Sequence, residues 1–190
     1  MKVLIVIDMQ NDFIDGALGS PEARAIVPVM EKRMAELADG NTALFYTKDT
    51  HFDGDYLNTQ EGRNLPVPHC ICNTQGWEIN ERIKAVGMND GFCCPQGEKG
   101  GSIYTKTCFG SYWLPRGIDD LLCLDEENDE IILMGVCTDI CVVSNALILK
   151  SYFPETKITV DASCCAGTTP ENHKAALQTM KSCQINVIND

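Results

Sequence analysis

The chain has 190 residues, 44% of them apolar and 22% charged, with 27 acidic side chains against 15 basic ones and a formal charge of −12. That length suits a single domain over 1–190. The acidic balance, with no run of five lysines or arginines, disfavours nucleic acid and anionic lipid as partners, and no apolar run approaches the roughly 18 residues of a membrane span.

In chain order, KVLIVID (2–8) is apolar for too few residues to be a signal-peptide core and predicts a buried strand ending at Asp8. Residues 22–38 set Ala23, Ile26, Val27, Met30, Met34 and Leu37 at three- and four-residue steps, which predicts a helix with Pro28 near its first turn or kinking it. ALFYTKD (43–49) predicts the next strand, followed by a long loop over 50–76 and a second over 87–101, both rich in Gly, Pro, Asn and Asp. SIYTK (102–106), EIILMGV (130–136), KITVDA (157–162) and INVI (185–188) predict four further strands, and 138–150 and 170–182 two further helices. The last helix opens on TTPEN, a capping Thr before a proline at the first helical position. Strands apolar on consecutive positions are covered on both faces. The alternation therefore predicts a three-layer α/β/α sandwich around an open, mostly parallel six-stranded sheet. Ligands of such folds gather at the carboxyl ends of the strands.

Eleven cysteines are an odd number, without a secretion signal, and they read as free thiols in a reducing cytoplasm. Cys141 falls in the first turns of a helix that follows a strand, where the helix dipole favours a thiolate and backbone N–H groups can hold an oxyanion. The alternative is a small apolar residue packing helix on sheet, and Cys137 reads more readily that way. Asp49 and His51 form an Asp-x-His at a strand end, and His69 in the following loop completes a carboxylate and two imidazoles suited to a divalent metal with open positions. Glu61, between the histidines, is either a fourth oxygen ligand or an exposed loop glutamate. Asp8 and Lys106 both end strands at this edge. A desolvated Asp8 could accept a thiol proton, with the Lys106 ammonium between carboxylate and sulfur.

The segments IDMQNDF, KDTHF, PHCICNTQGWEI, TKTCFGS and GVCTDICVVSNA, in that order across nearly the whole chain, resemble the isochorismatase-like cysteine hydrolases, and the Asp-x-His with Pro-His-Cys resembles the nicotinamidase branch. The resemblance implies a catalytic triad of Asp8, Lys106 and Cys141, with an oxyanion held by the backbone N–H groups of Cys137 and Cys141 and a cis peptide between Val136 and Cys137. It implies hydrolysis of a small amide through a thioester, metal ligands at Asp49, His51 and His69 with Glu61 nearby, a ring-pocket contact from Phe13, and self-association into a homo-oligomer. For the metal, zinc is the first expectation, with manganese, iron and magnesium compatible with the donors. The chain departs from the branch at LPVPHC, where no aromatic stands three residues before His69, and at TCFGSYW, where Phe109, Ser111 or Tyr112 could supply the missing contacts. The expected activity is ammonia release from nicotinamide or a similar small amide. The alternatives are a non-pyridine carbamoyl or ureido amide, or a non-catalytic metal-binding or thiol-redox domain.

Overall fold

The computed structural model describes residues 1–93 and 99–190, so Cys94 and part of the second long loop lie outside the described residues. Among the described residues, seven strands form one sheet: β1 Lys2–Ile7, β2 Thr42–Asp49, β3 Phe92–Cys93, β4 Ser102–Lys106, β5 Glu130–Val136, β6 Lys157–Ala166 and β7 Asn186–Ile188. Every pairing between them is parallel. The order is β3-β2-β1-β5-β6-β7, with β4 also on β2. β3 pairs the first two residues of β2 and β4 the last five, so the two share one edge. The two-residue β3 is additional to the six strands that periodicity predicts, because so short a piece carries no pattern.

The helices are α1 Asn11–Ile14, α2 Pro21–Leu37, α3 Gln60–Asn64, α4 Glu81–Gly87, α5 Trp113–Leu121, α6 Val143–Tyr152 and α7 Pro170–Ser182. Ser20 starts α2 by accepting from the Ala23 N–H at 3.0 Å, and Thr169 starts α7 by accepting from Asn172 N–H at 3.1 Å. α2 runs on through Pro28, which forgoes one backbone donor. Side chains alternate across a strand, and β1 shows both faces in use. Val3, Ile5 and Ile7 pack with Leu114 of α5, Ala146 of α6 and Met180 of α7, whereas Leu4 and Val6 pack with Met30 of α2 and Ile83 of α4.

Two features shape the carboxyl edge. The sheet order reverses around β1, so the chain leaves β1 and β5 in different directions and a crevice opens between them. Next to it, Gly135 has φ 137°, and a Cβ there would lie 2.0 Å from the Ile7 carbonyl oxygen. Only glycine fits that close backbone approach. β6 slips in register against β5 between Leu133 and Gly135, so that Val136 pairs Ala166 and the strand extends four residues past its predicted end. This carries Gly167 and Thr168 to the crevice. Among the described residues, no helix is long and apolar enough to cross a membrane.

Candidate active site

Asp8 and Lys106, at the ends of β1 and β4, meet Cys141. Lys106 Nζ lies 2.6 Å from Asp8 Oδ2 and 3.5 Å from Cys141 Sγ, and all three side chains are buried. Asp8 leaves β1 with φ 48°, an uncommon conformation for a non-glycine residue that turns its carboxylate toward the crevice edge. Thr47 of β2 holds the carboxylate by donating to Oδ1 at 2.7 Å. Val136–Cys137 is a cis peptide, and Thr138–Val142 follow as one π-helical turn in which Cys137 O accepts from both Ile140 and Val142 N–H. Cys141 therefore sits in a π turn ahead of α6 rather than in regular helix.

The electrostatics correct one expectation. Burial pushes the Cys141 thiol well above its ordinary pKa, the Asp8 charge adds to that, and Lys106 only partly offsets it. Burial is the largest of these influences, and the resting thiol keeps its proton. Asp8 is likewise raised, first by burial, against the pull of Lys106. Burial alone would lower Lys106, but Asp8, Cys141 and Asp49 together hold its ammonium well above the ordinary value.

A second cluster stands against the first. Asp49, His51, Glu61 and His69 each offer one donor atom within 4.8 Å of the others. Asp49 Oδ2 is 2.9 Å from His51 Nε2 and 3.5 Å from His69 Nε2, and Glu61 Oε1 is 3.7 and 3.6 Å from the same two nitrogens. Backbone hydrogen bonds zip the segments together, since His51 N–H donates to Cys70 O at 3.0 Å and Cys72 N–H to His51 O at 2.8 Å. His69 Nδ1 donates to Val67 O at 2.8 Å, which turns its Nε2 toward the cluster. α3, one short helix inside the first long loop, delivers Glu61 at less than one-fifth exposure, so it is no free loop glutamate.

The donor chemistry fits a divalent cation. Burial would raise Asp49, but hydrogen bonds from His51 and His69 bring it well below the usual carboxylate range. Glu61 is raised by burial and by the Asp49 charge, and His69 is raised, against burial, by its hydrogen bonds to Asp49 and Val67. Two carboxylates crowded on two imidazoles form a site short of positive charge, with the nitrogen and oxygen donors that zinc and similar ions take. Asp49 belongs to both clusters, because its Oδ1 also lies 3.4 Å from Lys106 Nζ.

Cys141 of the first cluster and Asp49, Glu61 and His69 of the second line a cavity of about 410 Å³ whose walls also include Phe13, Leu65, Phe109 and Ile140. Phe13 packs edge-on against His69 at 5.4 Å between ring centroids. Of the three residues that could supply the missing contacts, Phe109 lines the cavity. Ser111 instead accepts from Leu114 N–H at 3.2 Å to start α5, and Tyr112 is three-quarters exposed beside Trp113. Cys137 and Cys141 both line this cavity.

Sequence reasoning missed the groups that hold these residues in place. Gln10 clamps Asp49 through both backbone groups, donating to its O at 2.8 Å and accepting from its N–H at 2.7 Å. Asp12 accepts from Cys70 N–H at 2.7 Å, and the Tyr56 ring packs on both His51 and His69. Asn145 is fully buried. It donates to Cys141 O at 2.7 Å and Phe109 O at 3.2 Å, and accepts from Ser111 N–H at 2.9 Å. Gln10 and Asn145 fall within segments that resemble the family, which was the only signal for them. The ten cysteines among the described residues are all free thiols.

A sequence model described as the Isochorismatase domain matches residues 2–189. The chain is 27% identical to a nicotinamidase/pyrazinamidase of Mycobacterium tuberculosis, over 99% of this chain and 98% of that protein. The pyrazinamidase/nicotinamidase structure of Streptococcus mutans superposes with a TM-score of 0.81 at 25% identity, covering 99% of this chain and 100% of that one. A pyrazinamidase of Pyrococcus horikoshii, solved in complex with zinc, shares the fold with a TM-score of 0.75 at 24% identity, covering 100% of this chain and 99% of that one.

Proposed function

This chain belongs to the isochorismatase domain family, and from that premise we propose that it is a cysteine amidohydrolase releasing ammonia from nicotinamide or a closely similar small amide. The observation that carries the reading is the meeting of Asp8, Lys106 and Cys141 beside the Asp49–His51–Glu61–His69 cluster, with Cys141, Asp49, Glu61 and His69 lining one cavity. Its relatives named for nicotinamide and pyrazinamide hydrolysis support the substrate class.

In this reading Asp8 takes the Cys141 proton, and the thiolate attacks the amide carbon. The backbone N–H groups of Cys137 and Cys141 receive the oxyanion. Collapse of the tetrahedral species breaks the C–N bond, and the nitrogen leaves as ammonia with the proton that Asp8 returns. Water, giving its proton to Asp8, then opens the thioester, and Asp8 returns that proton to sulfur as the acid departs. Lys106 keeps Asp8 ionisable and steadies the thiolate throughout. A divalent ion held by Asp49, His51, His69 and Glu61, zinc in the first instance, supplies a Lewis-acid anchor for a substrate lone pair. Phe13 and Phe109 flank the substrate ring. The same reading has residues 1–190 acting as one domain, in a cytoplasmic homo-oligomer.

The test is ammonia release from nicotinamide with defined divalent metals added. Wild type is expected to release it, and Cys141→Ala to lose at least about 10³-fold in kcat; a Cys141→Ala protein of undiminished activity overturns the mechanism. A second reading, a non-pyridine amide on the same triad, is favoured by one observation: Leu65 forms cavity wall near where the nicotinamidase branch has an aromatic. Asp49→Ala separates the two, since hydrolysis that survives loss of this donor does not depend on anchoring a ring nitrogen.

A further inference from the structure

We infer that the site takes ring carboxamides that carry a polar, neutral or cationic arm, with the arm lodged in a second cavity beside the reaction chamber; this rests on the amidohydrolase reading above. The inner chamber, at about 410 Å³, lies within the range of roughly 300–1,000 Å³ that encloses drug-sized ligands, more room than one ring with one carboxamide fills. Beside it lies an outer cavity of about 570 Å³. The two share Glu61, Asn64 and Phe109 as lining. Asn64 is exposed and Phe109 is 48% exposed, so on the side away from Glu61 the divide between the cavities is a rim open to solvent. A substituent on a ring held near Cys141 can cross that rim without displacing any core residue.

The chemistry of the two cavities differs in a way that selects the arm. The inner walls are mainly apolar, through Phe13, Leu65 and Ile140. The outer lining adds, beside Phe52, Tyr56 and Phe109, hydroxyl and amide groups from Thr59, Gln60 and Thr107, together with the Asp55 carboxylate outside the metal cluster and no lysine or arginine. The chain as a whole carries a formal charge of −12. An ammonium on the arm therefore meets an attractive field near Asp55, and a carboxylate meets repulsion. Asp55 is exposed and its side chain makes no capping hydrogen bond, so its replacement leaves the local fold without a lost partner.

The experiment compares kcat/KM for nicotinamide with that for nicotinamides bearing an aminoethyl or a carboxyethyl arm at ring position 5 or 6, in wild type and in Asp55→Lys. The best aminoethyl isomer is expected within about tenfold of nicotinamide and ahead of its carboxyethyl counterpart. Asp55→Lys is expected to lower the amine-to-carboxylate ratio about fivefold, as reversal of an exposed charge should, with Asp55→Asn in between. If nicotinamide is hydrolysed but every armed isomer falls more than tenfold behind, or the ratio does not move in Asp55→Lys, the inference is overturned while the amidohydrolase reading stands. If no amide in the series releases ammonia, the functional reading itself fails and the inference falls with it.

Discussion

Asp8 shows how one residue's surroundings set the chemistry. Its carboxylate is buried beside an ammonium, yet burial wins and its pKa is raised. A base works only when ionised, so activity is present above the folded-state pKa of Asp8 and is lost as pH falls through it. Because that value is raised, the acid limb of kcat/KM should lie above the ordinary aspartate value of about 3.9. A pH–rate profile checks this, and an acid limb at or below about 4 contradicts it. The Cys141 thiol is raised as well. Alkylation of the free enzyme by iodoacetamide should therefore climb only above the ordinary thiol pKa of about 8.5, and the sulfur becomes nucleophilic through proton transfer to Asp8, not through a resting thiolate.

At the scale of elements, the site depends on two joints. The first is the β1–β5 contact, where Gly135 lies against the Ile7 carbonyl. Gly135→Ala brings a Cβ into backbone at a positive φ, and the expected cost is about 3 kcal/mol or more, read as a lowered urea midpoint or lost soluble yield. The second joint is Asn145, which ties the carbonyl of Cys141 to the 109–111 segment after β4. Asn145→Ala leaves a buried Ser111 N–H and the Cys141 carbonyl without this partner, and about 2 kcal/mol of stability should go with it. Because the same bonds link the nucleophile's turn to Phe109, kcat for ammonia release should fall too; equilibrium unfolding and steady-state kinetics on one sample separate the two effects.

For the molecule as a whole, the strand order gathers the ends of β1, β2, β4 and β5 at one edge, and with them an excess of carboxylate. Asp8, Asp49 and Glu61 face one ammonium there. A bound divalent cation should therefore stabilise the fold, since it binds the native chain and not the unfolded one. At a concentration of about 100 times Kd the gain is about 2.7 kcal/mol, which for a chain of this length raises Tm by about 5–10 °C. Exhaustive chelation should lower Tm by that amount and zinc should restore it, as calorimetry or thermal fluorescence would record; an unchanged Tm with zinc bound would contradict a native-state site.

Much of this was legible in local pattern. Runs of consecutive apolar residues mark β1, β2, β5 and β6, and capping residues with helical spacing mark α2 and α7, because strand and helix are chosen by contacts that repeat along the chain. Strand-terminal Asp8, Asp49 and Lys106 were readable as edge residues for the same reason. What the sequence left open lies where no periodicity operates. Glu61 was equally a ligand or a solvated side chain until α3 set it beside His51 and His69, and Phe109 was not separable from Ser111 or Tyr112 until the loop was folded. The thiol pKa went against its local reading, because desolvation is a property of everything packed around Cys141, not of its place on a turn. The sequence by itself determined the elements and which chemical groups stand at their ends. Tertiary structure alone decided how those groups charge one another, since Asp49 reaches Lys106 and His69 across 57 and 20 residues of chain, distances that only packing closes.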